Sequence, residues 1–361
     1  MAMQVLILGE KDVRRCLSMK QCLAVNRQAF LRLTTPNVVV PSRLGLAYPQ
    51  PTSKSHDWTL FKPAAFYSNN HHFDGNDTNG DIVDDDTTIT TTRNTITMGM
   101  KLVSIRANNP SIHNQPLVPA TLMMIQADTG MLEALISATY LTAARTATGP
   151  ALATQLCRPD ATHGVIFGAG LQAETHMDAL TMSLPHLSHI TIINRTKERA
   201  NSLMQQKQEQ YPYLTMNTIL LSDTEAVHGA LGQADVICTT TNAQTPLFQD
   251  GHVKPGCHIN SIGSYTPNMT EIPPHLVNRC TVLMDTVEAR TVGDLKHLTS
   301  QHPTCLLGQV LQEEGNTWLD DNRMEYTFFK GVGTAIQDVM TGALVLERAR
   351  ELGLGTAVDM S

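Results

Sequence analysis

The segment Gly164-Val165-Ile166-Phe167-Gly168-Ala169-Gly170-Leu171-Gln172-Ala173 constrains the fold of this chain more than any other stretch. Val165-Ile166-Phe167 is short and apolar, as a buried parallel strand requires. The run breaks at Gly168 and resumes in Leu171-Gln172-Ala173-Glu174, which suits a helix. Gly168 permits a tight turn, Gly170 lets the backbone approach a pyrophosphate, and Ala173 takes the third small position, where helix packs on strand. Leu171 and Gln172 then open a helix whose free N–H groups and dipole favour an anion. One G-x-G-x-x-A also fits an ordinary glycine turn. A second apolar strand, Ile190-Thr191-Ile192-Ile193, arrives at βαβ spacing and favours a dinucleotide site.

The end of that second strand bears on the cofactor. Sites for NAD(H) usually place an acidic residue there to bond the ribose 2′-hydroxyl. Here the chain reads Asn194-Arg195-Thr196-Lys197. A guanidinium, a hydroxyl and an ammonium suit a 2′-phosphate dianion, so NADP(H) is expected in preference to NAD(H). The alternative is a solvated basic start to the next helix.

Composition narrows the function classes. The chain has 361 residues, 42% of them hydrophobic and 16% charged, with a net charge of -7, which fits a soluble globular protein large enough for two domains. It shows no basic patch for nucleic acid, no apolar run of ~18 residues to span a membrane, and no signal-peptide pattern at its start. Seven scattered cysteines without a C-x-x-C read as reduced thiols in a cytoplasmic protein. No histidine spacing suits a metal, and none is expected.

Along the chain, a helix is expected near 12–33, strands at 37–40 and 59–61, and a polar loop insertion at 67–97. Its aspartates, asparagines and threonines bury little apolar surface, and they lack the ordered spacing of a calcium loop. Strands follow at 98–104 and 122–125, then a helix at 141–157. Strands at 164–167, 190–193, 235–239, 257–262 and 281–285 form repeated strand-helix units, and residues 331–354 are again helical in period. The fold class is α/β. A substrate and dimerisation domain is expected from residues 1–140 and 325–361, with a dinucleotide-binding domain at 141–324.

Several motifs in register carry a family resemblance: Met98-Gly99-Met100-Lys101-Leu102-Val103-Ser104, Leu141-Thr142-Ala143-Ala144-Arg145-Thr146-Ala147, the glycine turn with Gln172-Ala173, Ala234-Asp235-Val236-Ile237-Cys238-Thr239-Thr240-Thr241, and Lys254-Pro255-Gly256-Cys257-His258-Ile259-Asn260-Ser261-Ile262-Gly263. Together they resemble the ornithine cyclodeaminase/mu-crystallin family over nearly the whole chain apart from 67–97. The resemblance implies a homodimer with a Rossmann domain between the two parts of an open α/β domain. It also implies hydride transfer at a carbon–nitrogen bond next to a carboxylate.

Carried over by position, Arg43 and Arg145 resemble the family's carboxylate-binding arginines and Lys101 its active-site lysine. Two guanidinium forks can hold a carboxylate bidentately, and a desolvated lysine beside them would lose basicity and become fit for acid/base work. Thr240, Ser261 and Gly263 are implied on the cofactor side with the glycine turn, and Asp338 is placed toward the substrate or nicotinamide, with a plain helix-start acid as its alternative. Departures from the pattern favour one branch. Ornithine cyclodeaminases carry an aspartate where this chain has Tyr265, whose reference pKa of ~10 makes it a poor base. The family's Asp-Gly before the Leu-Thr helix is Ser137-Ala138 here. The expected activity is therefore NADPH-dependent reduction of a ketimine or cyclic imino carboxylate. The alternatives are cyclodeamination of ornithine or lysine with NAD+, and a non-catalytic nucleotide-dependent binding protein.

Overall fold

The computed structural model describes residues 4–47, 57–68, 95–313 and 315–360. The chain divides into two units, Met1–Arg145 with Thr334–Ser361, and Thr146–Gly333. In chain order the first unit holds β1 (Gln4–Leu8), α1 (Glu10–Cys16), α2 (Met19–Arg32), β2 (Val38–Val39), β3 (Leu44–Ala47), β4 (Trp58–Ser68), β5 (Thr95–Ile105), β6 (Ala120–Gln126) and β7 (Leu132–Ser137). Helix α3 (Thr139–Cys157) carries the chain onward. The second unit contains β8 (His163–Phe167), α4 (Leu171–Ser183), β9 (His189–Asn194), α5 (Lys197–Gln210), β10 (Thr215–Leu220), α6 (Thr224–Leu231), β11 (Val236–Thr239) and β12 (His258–Ser261). It continues through α7 (Pro274–Val277), β13 (Cys280–Met284), β14 (Thr304–Leu306), α8 (Leu307–Val310), α9 (Thr317–Asp321) and β15 (Tyr326–Lys330). Helix α10 (Ala335–Glu351) and β16 (Thr356–Asp359) return to the first unit.

The sheet of the first unit is mixed, in the order β16-β1-β7-β6-β5-β4-β2, with β3 also on β4. Period-2 alternation gives it two faces. Leu60, Ala64 and Phe66 of β4, Val103 of β5, and Leu122 and Met124 of β6 are buried with residues of α2 and α10 in one core. The intervening residues lie on the opposite face. Helix α10 comes very close to the sheet. A Cβ at Gly342 would stand 2.2 Å from Leu122 Cδ2, and one at Gly99 would stand 3.2 Å from Val339 Cγ2 of α10. That approach brings the first turn of α10 down onto β5.

The helix expected near 12–33 is two helices. Ser18 ends the first by capping the second: its hydroxyl accepts from the Gln21 N–H, and the Gln21 side chain accepts from the Ser18 N–H, a capping box that fixes a new helix start. The ends of the expected 67–97 loop are strand, with Tyr67 and Ser68 of β4 opposite Ile96 and Thr95 of β5. The remainder of that insertion, including the acidic stretch weighed for calcium, lies outside the described residues.

The sheet of the second unit is wholly parallel, in the order β10-β9-β8-β11-β12-β15-β13-β14. Chain order runs outward one way from β8 through β9 to β10 and the other way from β11, so the winding reverses between β8 and β11. This is the doubly wound Rossmann arrangement, in which ligands bind outside the carboxyl ends of the strands at the reversal. Strand β15 pairs with β12 and β13, so Tyr326–Lys330 belong to this sheet and the chain re-enters the first unit at Thr334.

Candidate active site

In the first unit, three elements distant in sequence bring ionised groups together. Lys101 sits on the inward phase of β5, between Gly99 and Val103, and is fully buried. Arg145 closes the first two turns of α3, and Asp338 lies in the first turn of α10, where the Gln337 side chain accepts from the Thr334 N–H at 3.2 Å. Asp338 Oδ1 accepts from Lys101 Nζ at 2.6 Å and from Arg145 Nε at 2.7 Å. Thr142, one helical turn before Arg145, accepts from Lys101 Nζ at 3.3 Å. Gln337 donates to the Arg145 carbonyl at 3.2 Å and ties the start of α10 to α3. The other carboxylate oxygen, Asp338 Oδ2, is buried and accepts no hydrogen bond among the described residues.

A fourth charge belongs with this group. Lys62 is buried on the inward phase of β4 and stands directly opposite Lys101 in the β4–β5 ladder. Like charges facing each other across strands destabilise a sheet, so this pair is a feature that folding alone does not favour. Burial, followed by the charge of Arg145 and with Lys62 adding to it, holds the Lys101 ammonium well below the ordinary lysine range; the charge of Asp338 opposes this. Burial alone would raise the Asp338 carboxyl, but Arg145, Lys101 and Lys62 hold it below the ordinary aspartate value. The result is an ammonium ready to give up a proton beside a committed carboxylate. Replacing Lys62 with methionine removes one charge that lowers Lys101. We expect the alkaline limb of any activity that needs protonated Lys101 to move to higher pH. A pH–rate profile of wild type and Lys62→Met checks this, and an unmoved limb would contradict it.

Arg43 is half-buried in the segment before β3. Among the described residues it is not bonded to this cluster. Lys101, Arg145 and Asp338 are thus brought together.

In the second unit, the glycine turn lies between β8 and α4. Gly168 has φ +117, a conformation open to glycine, and a Cβ there would meet Thr240 Oγ1 at 2.6 Å. Thr240 closes the same corner, donating from its N–H and hydroxyl to the Phe167 carbonyl at 2.9 and 2.8 Å. Gly170 is the N-cap of α4 and, being glycine, supplies no side-chain cap to the helix end. A Cβ on Gly170 would meet nothing within 4 Å. Leu171 and Gln172 begin the helix and Ala173 is fully buried against the sheet. An uncapped helix N-terminus behind an open glycine backbone fits a pyrophosphate.

At the end of β9, Asn194 donates to the Thr196 carbonyl at 2.9 Å, and Arg195 and Thr196 are exposed. Ser261 and Gly263 enter a buried network: the Ser261 hydroxyl donates to Asp294 at 2.6 Å, and the Gly263 N–H to Glu271 at 2.8 Å. Tyr265 is half-buried, and burial, with the charge of Glu271, raises its phenol above the ordinary value. It is a neutral hydroxyl over the physiological range. Among the described residues no group of histidine, cysteine, aspartate and glutamate is arranged to hold a metal.

Sequence reasoning passed over Lys62, Glu271, Asp294 and Lys330. For Lys62 a signal existed: it falls in phase with Leu60, Ala64 and Phe66, so period 2 would place it with them.

Known proteins resemble this chain over most of its length. The model of the ornithine cyclodeaminase/mu-crystallin family matches residues 77–353. A Delta(1)-pyrroline-2-carboxylate reductase of Bacillus cereus is 31% identical over 73% of this chain and 80% of its own. An uncharacterized cyclodeaminase of Dictyostelium discoideum is 25% identical over 99% of this chain and all of its own. The solved Delta(1)-pyrroline-2-carboxylate reductase of Thermococcus litoralis, in complex with NADH and L-proline, shares the fold with a TM-score of 0.78, covering 98% of this chain and 100% of its own at 23% identity. By its motifs, its two sheets and the extent of the family match, the chain belongs to the ornithine cyclodeaminase/mu-crystallin family.

Proposed function

We propose that this protein is an NADPH-dependent reductase of a ketimine or cyclic imino carboxylate. The observation that carries the reading is the buried Lys101–Asp338–Arg145 cluster, which offers an acidic ammonium, a guanidinium and an unused carboxylate oxygen in one place. Arg145, with Arg43 as the second anchor implied by its motif, holds the substrate carboxylate. Lys101 gives its proton to the imine nitrogen, and Asp338 Oδ2 accepts the N–H that results. The nicotinamide cofactor, when bound, supplies the hydride that the imine carbon takes up. One C=N bond becomes CH–NH as the cofactor is oxidised, with hydride and proton accounting for both hydrogens. Holding the reactants in register contributes much of the rate, since orientation can be worth ~7–11 kcal/mol of barrier. The pyrroline-carboxylate reductase relative supports this reaction class. Loss of NADPH absorbance that depends on a cyclic imino acid tests it. An unchanged signal across a panel of imino acids would reject it.

Cyclodeamination of ornithine or lysine is the second reading, favoured by the cyclodeaminase relative that spans the chain. Tyr265 weighs against it, because a phenol raised by burial and Glu271 cannot act as a carboxylate base would.

For the cofactor, Leu171, Gln172 and Gly170 take the pyrophosphate, while Arg195 and Thr196 take the 2′-phosphate, with Asn194 shaping their turn. Changing Arg195 to aspartate removes the guanidinium and restores the acid that suits a 2′-hydroxyl. We expect kcat/KM for NADPH relative to NADH to fall about 100-fold, the scale of a lost charge-assisted bidentate contact combined with a new repulsion. Steady-state kinetics with both cofactors measure it.

The reading includes a homodimer. Leu44 and Leu46 of β3 and Ile96 of β5 are exposed, and Phe61, Met98, Met100, Leu102, Met123 and Ile125 are only partly covered on the sheet face away from the helices. A patch of this kind marks an association surface, and a second copy matches the implied family assembly. Sedimentation at twice the chain mass is the expected result. Its unpaired cysteines suit a reducing, cytoplasmic setting, and among the described residues no helix is long and apolar enough to cross a membrane.

A further inference from the structure

The carboxyl ends of β11, β12 and β15 meet at a buried ionic network that the reaction above does not use. Glu271 is fully buried and its two oxygens receive four hydrogen bonds. Oε1 accepts from the N–H and the hydroxyl of Thr241 at 2.8 and 2.7 Å, and Oε2 accepts from the Thr239 hydroxyl at 2.9 Å and the Gly263 N–H at 2.8 Å. Asp294 accepts from the N–H groups of Glu271 and Ile272 at 2.8 and 3.1 Å, and from the hydroxyls of Ser261 and Ser264 at 2.6 and 2.5 Å. Lys330 donates to the same two hydroxyls at 3.0 and 2.6 Å. Asp285, which accepts from the Val332 N–H at 2.8 Å, adds its charge near Lys330.

Two features of this network need explanation. First, among the described residues bonded within it, two carboxylates face one ammonium. A buried surplus of charge is costly, and neutral amides could bridge many of the same strand ends. Burial and the charge of Asp294 raise the Glu271 carboxyl above the ordinary glutamate value; against this, the charge of Lys330 and a backbone N–H on each oxygen favour the ionised carboxylate. Second, the network lies beside the sheet's reversal point. Thr239 and Thr241 flank Thr240, whose hydroxyl is bonded to Phe167 at the end of β8, and a Cβ on Gly263 would stand 1.8 Å from the Thr241 carbonyl oxygen. The strand ends that Glu271 locks are those outside which an α/β sheet binds its ligand. A nicotinamide ring is cationic when oxidised and neutral when reduced.

We propose that the Glu271–Asp294–Lys330 network sets the redox-state preference of the bound cofactor, its negative surplus stabilising the oxidised nicotinamide relative to the reduced one. Glu271 and Asp294 are positioning residues that act through charge and through the strand ends they hold. This inference rests on the assignment of the second unit as the nicotinamide-binding unit.

The test is equilibrium binding of NADP+ and of NADPH to the full chain, by calorimetry, for wild type, Glu271→Gln, Glu271→Asp and Lys330→Met. Glu271→Gln weakens NADP+ relative to NADPH by roughly three- to tenfold, the range one charge exerts through an interior of effective dielectric about 20. Lys330→Met, which removes the positive charge, shifts the ratio the opposite way. Glu271→Asp keeps the charge and keeps the ratio, even where both affinities fall. If Glu271→Gln fails to fold, the direction of the Lys330→Met shift decides alone. An unchanged ratio in the variants, with both forms still bound, overturns the inference and leaves the cofactor assignment intact. Binding of neither form by the wild type overturns the assignment and the inference with it.

Discussion

Replacing Lys101 with methionine is expected to lower kcat by 10²- to 10⁴-fold, the usual contribution of a positioned proton donor, while the fold persists. Methionine has nearly the length of lysine and fills the same apolar stem space, and at this site the ammonium is fully buried. Removing a buried charge that burial and Arg145 already disfavour relieves a desolvation cost, which offsets part of the lost bond to Asp338. We therefore expect thermal stability close to wild type and a KM for the imino acid that changes far less than kcat. A loss confined to KM would make Lys101 a binding residue. Unchanged kinetics would remove it from the reaction.

The second large effect is at Asp338. Its Oδ1 is the shared acceptor of Lys101 and Arg145, and Asp338→Asn leaves these cations without the carboxylate. Breaking a buried ion pair from one side costs ~3–5 kcal/mol, so the variant should unfold at markedly lower denaturant concentration. The chemistry should change in a specific direction. Asp338 raises Lys101 toward protonation, so its loss lowers Lys101 further. Activity that needs the ammonium is present below the Lys101 pKa and lost as pH rises through it. The alkaline limb of Asp338→Asn must therefore move to lower pH, opposite to Lys62→Met. Denaturant titration and a pH–rate profile of one preparation test both statements, and a limb that moved upward would contradict the assigned electrostatics.

The parts of this molecule that were legible in its sequence are those whose chemistry is local. Gly168 could be read because a turn at φ +117 needs glycine and the strand and helix on either side are adjacent in the chain. The place of Arg195 and Thr196 just after the next strand could be read because that strand, too, is a local apolar run. Lys101 and Arg145 came with motifs, but their partnership with Asp338 spans 237 and 193 residues, and only the packing of α10 on the sheet reveals it.

Lys62 was lost because the expected strand stopped at residue 61, before Pro63, a residue that normally interrupts a ladder. In β4 that cost is avoided. Strand β3 pairs with Trp58–Phe61 and β2 with Ala65 and Phe66, so Pro63 falls in the gap between two short edge strands. Similarly, Ser18 looked like one polar residue in a long helical period until its reciprocal bonds with Gln21 showed a helix start. Strand β15 was assigned to the wrong side of the domain boundary because its nearest neighbours in sequence are helical, while its hydrogen-bonding partners, β12 and β13, are not.

The most direct test of the account follows the hydride itself. NADPH carrying deuterium at both C4 positions of its nicotinamide ring, incubated with the enzyme and Δ1-pyrroline-2-carboxylate, should give proline with one deuterium on its α-carbon and an equal quantity of NADP+ that keeps one deuterium at C4. Proline without the label, or ammonia and proline formed from ornithine with no net cofactor oxidation and no turnover of the imine, would contradict the proposed reduction.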